Sequence, residues 1–284
     1  TQLLTPELLQ TLGLEHGFDT VGDADEAKAF VEARLAEGAD YLKIGVDDGS
    51  VSGMDLPALS PELAAVLVEA AHAAGLKVIA HTVTAREALI ALDAGADGLA
   101  HLYSDAGEEQ AEEVAARIAA YDAFVISTIT FIEVVTGDPG PTELLRDPRM
   151  AARMSERSKA TFGREPTDIP MHSQGVTNAS QAAVALLRAG VPLLAGTDST
   201  SFGPVHGAGF HHELLMLTEA GLTPEQALTA ATSLTARHFD LGDRGRIAPG
   251  LRADLLLVDG DPTTDITATR AIADVWRGGV RQVS

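Results

Sequence analysis

The stretch EGADYLKI (37–44) returns in altered form twice along the chain, as AGADGLAH (94–101) and AGVPLLAG (189–196). Each time a helix-like segment closes on a glycine and a short apolar run follows. Glycine just past a helix supplies the left-handed residue that ends it, and the apolar run has the length of a strand. A helix C-cap feeding a strand, repeated in this way, predicts alternating helices and parallel strands.

Working outward, the same alternation continues. ADEAKAFVEARLAE (24–37) has the helical period and is stopped by Gly38. Ser60 as N-cap and Pro61 at the first position open a helix that ends at Gly75. KVIAHTV (77–83), GLAH (98–101), AFVISTIT (123–130) and VPLLAGTDS (191–199) read as further strands with helical stretches between them. Five strands separated by helices make a parallel α/β fold with right-handed crossovers. Tyr41, Leu42, Ile44 and Val46 suit a strand covered on both faces, which leaves Lys43 in its middle needing a partner, a neutralised amine or a chemical task. A lysine snorkelling at a strand edge is the plainer alternative.

At 284 residues, 45% hydrophobic and 21% charged, the chain can bury a large core. A formal net charge of -21 argues against nucleic acid or an anionic membrane as partner. The absence of cysteine removes disulfides, thiolate ligands and a thiol nucleophile. No apolar run approaches the roughly 20 residues of a membrane span. TQLLTPELLQ (1–10) lacks a basic region followed by an apolar one, so a cytoplasmic location is expected.

The polar residues fall at telling places. His81 follows VIA, His101 ends GLA, and Asp198 ends LLAGT. In a parallel barrel the C-terminal ends of all strands open on one face, where active sites form. Two imidazoles and a carboxylate converging there, with Lys43 from a fourth strand, would each be costly if left unpaired. Imidazole nitrogen and carboxylate oxygen are ligands that suit a zinc-like ion.

KI (43–44), VIAH (78–81), GLAH (98–101) and GTDS (196–199), followed by the segments 211–241 and 245–262, resemble the amidohydrolase superfamily, closest to its imidazolonepropionase-like and Xaa-Pro dipeptidase-like branch. The resemblance implies a (β/α)8 TIM-type barrel of which strands four to eight are present in residues 1–240, plus part of a small β-sandwich in residues 241–284. It implies one or two zinc-like ions held by Lys43, His81, His101 and Asp198, with Lys43 carboxylated by CO2. It also implies hydrolysis of a dipeptide, cyclic amide or related ester by metal-bound hydroxide, with Asp198 moving the proton. The family's His-x-His pair, expected at the end of the first strand, does not occur in this sequence, where His16 is the sole histidine before His72. Three further βα units of roughly 30 residues each do not fit before Lys43. A homo-oligomer or a preceding segment is therefore expected to complete the barrel.

Tyr103 and His206 are candidates for substrate contact. His211, His212 and Glu213 look like a zinc motif, but neighbouring side chains on a helix point apart, which favours capping and packing. His72 and His238 are expected to be structural, the latter facing a helix C-terminus. His172, Thr1, Arg153, Arg157 and Arg164 have no discriminating context. Two rival readings are a non-catalytic remnant or partner subunit of the same fold, and a metal-free enzyme with Lys43 as Schiff-base nucleophile.

Overall fold

In the computed structural model, residues 19–51, 56, 58–136, 142–161, 174–199 and 204–282 are described. His16, His172, Arg164 and Thr1 lie outside them. Five parallel strands stand side by side in sequence order: β1 (Tyr41–Gly45), β2 (Lys77–His81), β3 (Gly98–Ala100), β4 (Phe124–Ile126) and β5 (Leu193–Leu194). Helix α1 (Ala24–Ala36) precedes β1, and α2 (Pro61–Ala73), α3 (Ala85–Asp93) and α4 (Glu108–Ile118) fill the next three connections. The passage from β4 to β5 carries α5 (Ile129–Val135), α6 (Pro148–Ala151), α7 (Glu156–Thr161) and α8 (Gly175–Arg188). Beyond β5 come α9 (Ala208–Ala220), α10 (Pro224–Thr229), a π-turn over Ala230–Leu234 and α11 (Thr235–His238). A separate antiparallel sheet follows, of β6 (Leu255–Val258), β7 (Ile272–Arg277) and β8 (Val280–Gln282).

The repeated glycines act as their positions suggest. Gly38, Gly95 and Gly190 have φ of 81°, 96° and 79°. At each, the next amide reaches back to a carbonyl five residues earlier: Ala39 to Arg34, Ala96 to Ala91 and Val191 to Leu186. That is the Schellman closure, and with Gly75, where Leu76 reaches back to Ala71, it turns the chain from helix into strand four times in the same way. Helix starts are equally well specified. Ser60 accepts from Leu63 N ahead of Pro61, and Thr84 and Glu87 form a reciprocal capping box on α3.

The sheet has two unlike faces. Leu42, Ile44, Val78, Ala80, Leu99, Val125 and Leu193 point to the helices and join the main core. On the other face, Ile79, Ala100, Phe124 and Leu194 are buried against Leu234 and Phe239. The chain from Leu234 through α11 to Phe239 thus plugs one end of the concave face. Phe239 meets Phe124 and Tyr41, and Lys77 Nζ donates to the His238 carbonyl at 2.7 Å and to the Asp240 carboxylate.

One expectation is corrected here. β1 is not covered on both faces: Leu42 and Ile44 are buried, while Tyr41, Lys43 and Gly45 are exposed. β1 is an edge strand, with one hydrogen-bonded neighbour among the described residues. His238 lies in the last turn of α11, at the helix C-terminus expected for it. Its ring tilts onto Phe124 at 5.1 Å, and burial with the nearby Lys77 and Arg237 charges lowers its pKa. No helix among the described residues is long and apolar enough to cross a membrane.

Candidate active site

Register carries the site to one end of the sheet. Gly45, His81, Ala100 and Ile126 are cross-strand partners in a single row. Ala100 faces inward, so a regular strand would send His101 toward the helices. His101 instead takes φ of 83°, which swings its ring in beside His81. Nε2 of His101 lies 2.8 Å from Nδ1 of His81, with the rings edge to face. Phe131 on α5 stacks on His101 at 4.5 Å.

The outward nitrogens are both engaged. Nε2 of His81 is 3.2 Å from Asp47 Oδ2, and Nδ1 of His101 is 2.6 Å from Thr128 Oγ1. Asp198 completes the group, its Oδ2 lying 3.5 Å from His101 Nε2. His101 is fully buried, and burial, with the His81 and Lys43 charges behind it, pushes its pKa well down and keeps the imidazole neutral.

Backbone strain is concentrated here. Four non-glycine residues among those described have positive φ, and three of them are His101, Thr128 and Asp198, at 83°, 49° and 44°. For a β-branched residue such as Thr128 this is a true outlier. Each such residue costs on the order of 1–3 kcal/mol, and such strain gathers at functional sites.

The donor set fits a divalent ion. If His81 gives its Nε2 proton to Asp47 and His101 its Nδ1 proton to Thr128, two imidazole lone pairs face one another at 2.8 Å beside a carboxylate. Facing lone pairs repel unless a proton or cation lies between them. A carboxylate on the outer nitrogen of a ligating histidine is the arrangement that fixes its tautomer.

The remaining candidates fall in different places. Lys43 projects from the same face and is exposed on a strand that is at the sheet edge among the described residues, which is the plainer of the two readings of that lysine and not the buried one. Tyr103 is not at the rim. It is 2% exposed, its hydroxyl donates to the Ala111 carbonyl at 2.8 Å, and burial raises its pKa. His206 is exposed just before α9. His211, His212 and Glu213 diverge: His211 meets Thr269, His212 lies between Glu133 and Glu143, and Glu213 turns to the β4–α5 loop. A carboxylate cluster of Asp47, Asp48 and Glu87 lies beside the site. Both Glu87 oxygens are engaged, one by the amides of Val83 and Thr84 and the other by the amide of Asp48.

Sequence reading missed Asp47 and Thr128. For Asp47 a signal existed, an acid directly after an apolar strand. For Thr128 there was none, because its role depends on an unusual φ.

The amidohydrolase family model matches residues 10–282. An imidazolonepropionase from Deinococcus deserti is 35% identical over 102 residues, covering 34% of this chain and 25% of that one. A Xaa-Pro dipeptidase solved with methionine in its active site superposes with a TM-score of 0.69 at 22% identity, over 94% of this chain and 62% of that one. An ochratoxinase from A. niger gives 0.69 at 23% identity, over 98% and 61%. The chain thus spans about three fifths of these structures, and its five-stranded sheet is part of a TIM-type barrel.

Proposed function

The chain belongs to the amidohydrolase family, and from that premise we propose that it carries the metal-binding part of a hydrolase that cleaves a carbon–nitrogen bond in a small amide. The observation that supports this most is the convergence of His81 Nδ1 and His101 Nε2, each with its other nitrogen engaged, beside Asp198. His81, His101 and Asp198 would hold one or two zinc-like ions. A divalent ion supplies Lewis acidity and makes water nucleophilic near neutral pH.

Asp198 would take up the proton of the attacking water and pass it to the leaving nitrogen, so that the departing group leaves as a neutral amine. Phe131, stacked on His101, keeps water from one side of the ring. Lys43 would react with CO2 through its neutral amine, forming an N–C bond and releasing a proton. That exchanges a cation for an anion on the face that must attract metal. The rival amine-nucleophile role suits Lys43 less, since an exposed lysine lacks the apolar pocket such chemistry uses.

Cyclic amides and dipeptides are the proposed substrates, in keeping with the imidazolonepropionase and the Xaa-Pro dipeptidase that the chain resembles. The edge of β1 that has no strand beside it among the described residues is where a preceding segment or a second copy would add strands. The test is a screen of dipeptides and cyclic amides with zinc, together with 13C NMR under labelled bicarbonate. A carbamate signal and hydrolysis that vanish together in Lys43→Ala are expected. A metal-loaded protein with neither would overturn the proposal.

A further inference from the structure

Thr128 is the residue immediately before α5, where a threonine would ordinarily cap its own helix by accepting from the amides of the first turn. It makes no such bond. With φ of 49° its hydroxyl is turned away from the helix and lies 2.6 Å from His101 Nδ1. The vacant duty is taken from another element. Glu213 on α9, fully buried, accepts from the amides of Ile129 at 3.0 Å and Thr130 at 2.9 Å, and from the hydroxyl of Ser127. Those three donors bracket Thr128 on both sides.

We infer that Thr128 and Glu213 are positioning residues for His101: Glu213 caps α5 in place of Thr128, which frees the Thr128 hydroxyl to accept the Nδ1 proton of His101 and leaves the Nε2 lone pair aimed at the ion. The inference rests on the metal site proposed above. A buried carboxylate with three donors is well satisfied and holds a tight loop, and that loop keeps a β-branched residue in a backbone region it would otherwise leave. Losing the bond to a ligating histidine commonly weakens metal binding by about 10- to 100-fold.

The experiment uses the natural full-length protein and three readouts: zinc affinity by chelator competition, the visible spectrum with Co2+, and histidine 15N NMR without metal. Thr128→Val keeps the branch and removes the hydroxyl. It should weaken zinc by about 10- to 100-fold, change the Co2+ spectrum, and shift His101 from the Nδ1-protonated tautomer toward the other. Thr128→Ser should retain the parent's affinity and tautomer. Glu213→Gln should weaken zinc too, and the double variant should lose no more than the worse single one, because both act through one bond. Parent-like affinity and tautomer in Thr128→Val would overturn the inference. If Glu213→Gln does not fold, the Val and Ser pair at Thr128 decides. A parent that binds no zinc defeats the proposed function, while the tautomer measurement still decides the positioning role.

Discussion

Asp198 lies four residues past β5 with positive φ, its side chain about a third exposed and one oxygen 3.5 Å from His101 Nε2. A carboxylate so placed reaches both solvent and the His101 imidazole, which suits the proton-carrying role proposed for it. Asp198→Asn keeps its size and one oxygen. It should retain the fold and part of the metal while turnover falls by about 10²-fold or more, the usual worth of a positioned acid–base group. Parallel metal and rate measurements check this; near-parental turnover would take Asp198 out of the mechanism. At this scale the sequence was informative wherever a polar residue ended an apolar run, as at His81, His101 and Asp198. It was uninformative where contact depends on one dihedral. His101 reaches His81 because of a φ of 83°, and Thr128 reaches His101 because of one of 49°. Tyr103 went the other way: two residues past His101 the chain turns back under α4, and the phenol is spent on the Ala111 carbonyl.

Helix α9 shows how elements distribute polar work. Its HHE run looks like a metal motif, yet the helical period sends the three side chains to three separate partners. His212 is the most consequential for stability. Burial alone would lower its pKa, but the Glu133 and Glu143 carboxylates, at 3.0 and 3.3 Å, outweigh that and raise it to about 9. A histidine whose pKa is higher folded than unfolded stabilises below its unfolded value and loses that contribution as pH rises toward the folded one. Stability should therefore fall from about pH 6.5 to 9, by on the order of 3 kcal/mol at most. Urea midpoints across that range should lose this slope in His212→Gln; an unchanged slope would contradict the assignment. In the sheet, Gly98 lies opposite Phe124, and a Cβ there would overlap the ring. Gly98→Ala should force Phe124 to shift and cost about 1–3 kcal/mol, readable as a lower urea midpoint, with a parental midpoint as the contrary result. Helix ends and the strand order were legible because Gly38, Gly95 and Gly190 repeat one closure. The burial of Lys43 was not, because a strand's own residues do not say what covers its second face.

Across the whole molecule, one end of the concave face is plugged by Phe239 and Leu234, while the other carries His81, His101 and Asp198 at the strand ends. The division suits the TIM-type architecture, in which stability and chemistry belong to opposite ends of the strands. The parallel α/β class was visible in the alternation of runs. The third strand of the small sheet, Val280–Gln282, was not, being short and fully exposed. The paired imidazoles and Asp198 are proposed to form a divalent-metal site. Elemental analysis of the natural full-length protein, purified without chelator and compared with His101→Ala, tests it most directly. Stoichiometric zinc or a similar divalent ion is expected in the parent, with a substantial loss in His101→Ala that added zinc does not restore. No metal in the parent, or equal metal in both, would contradict it.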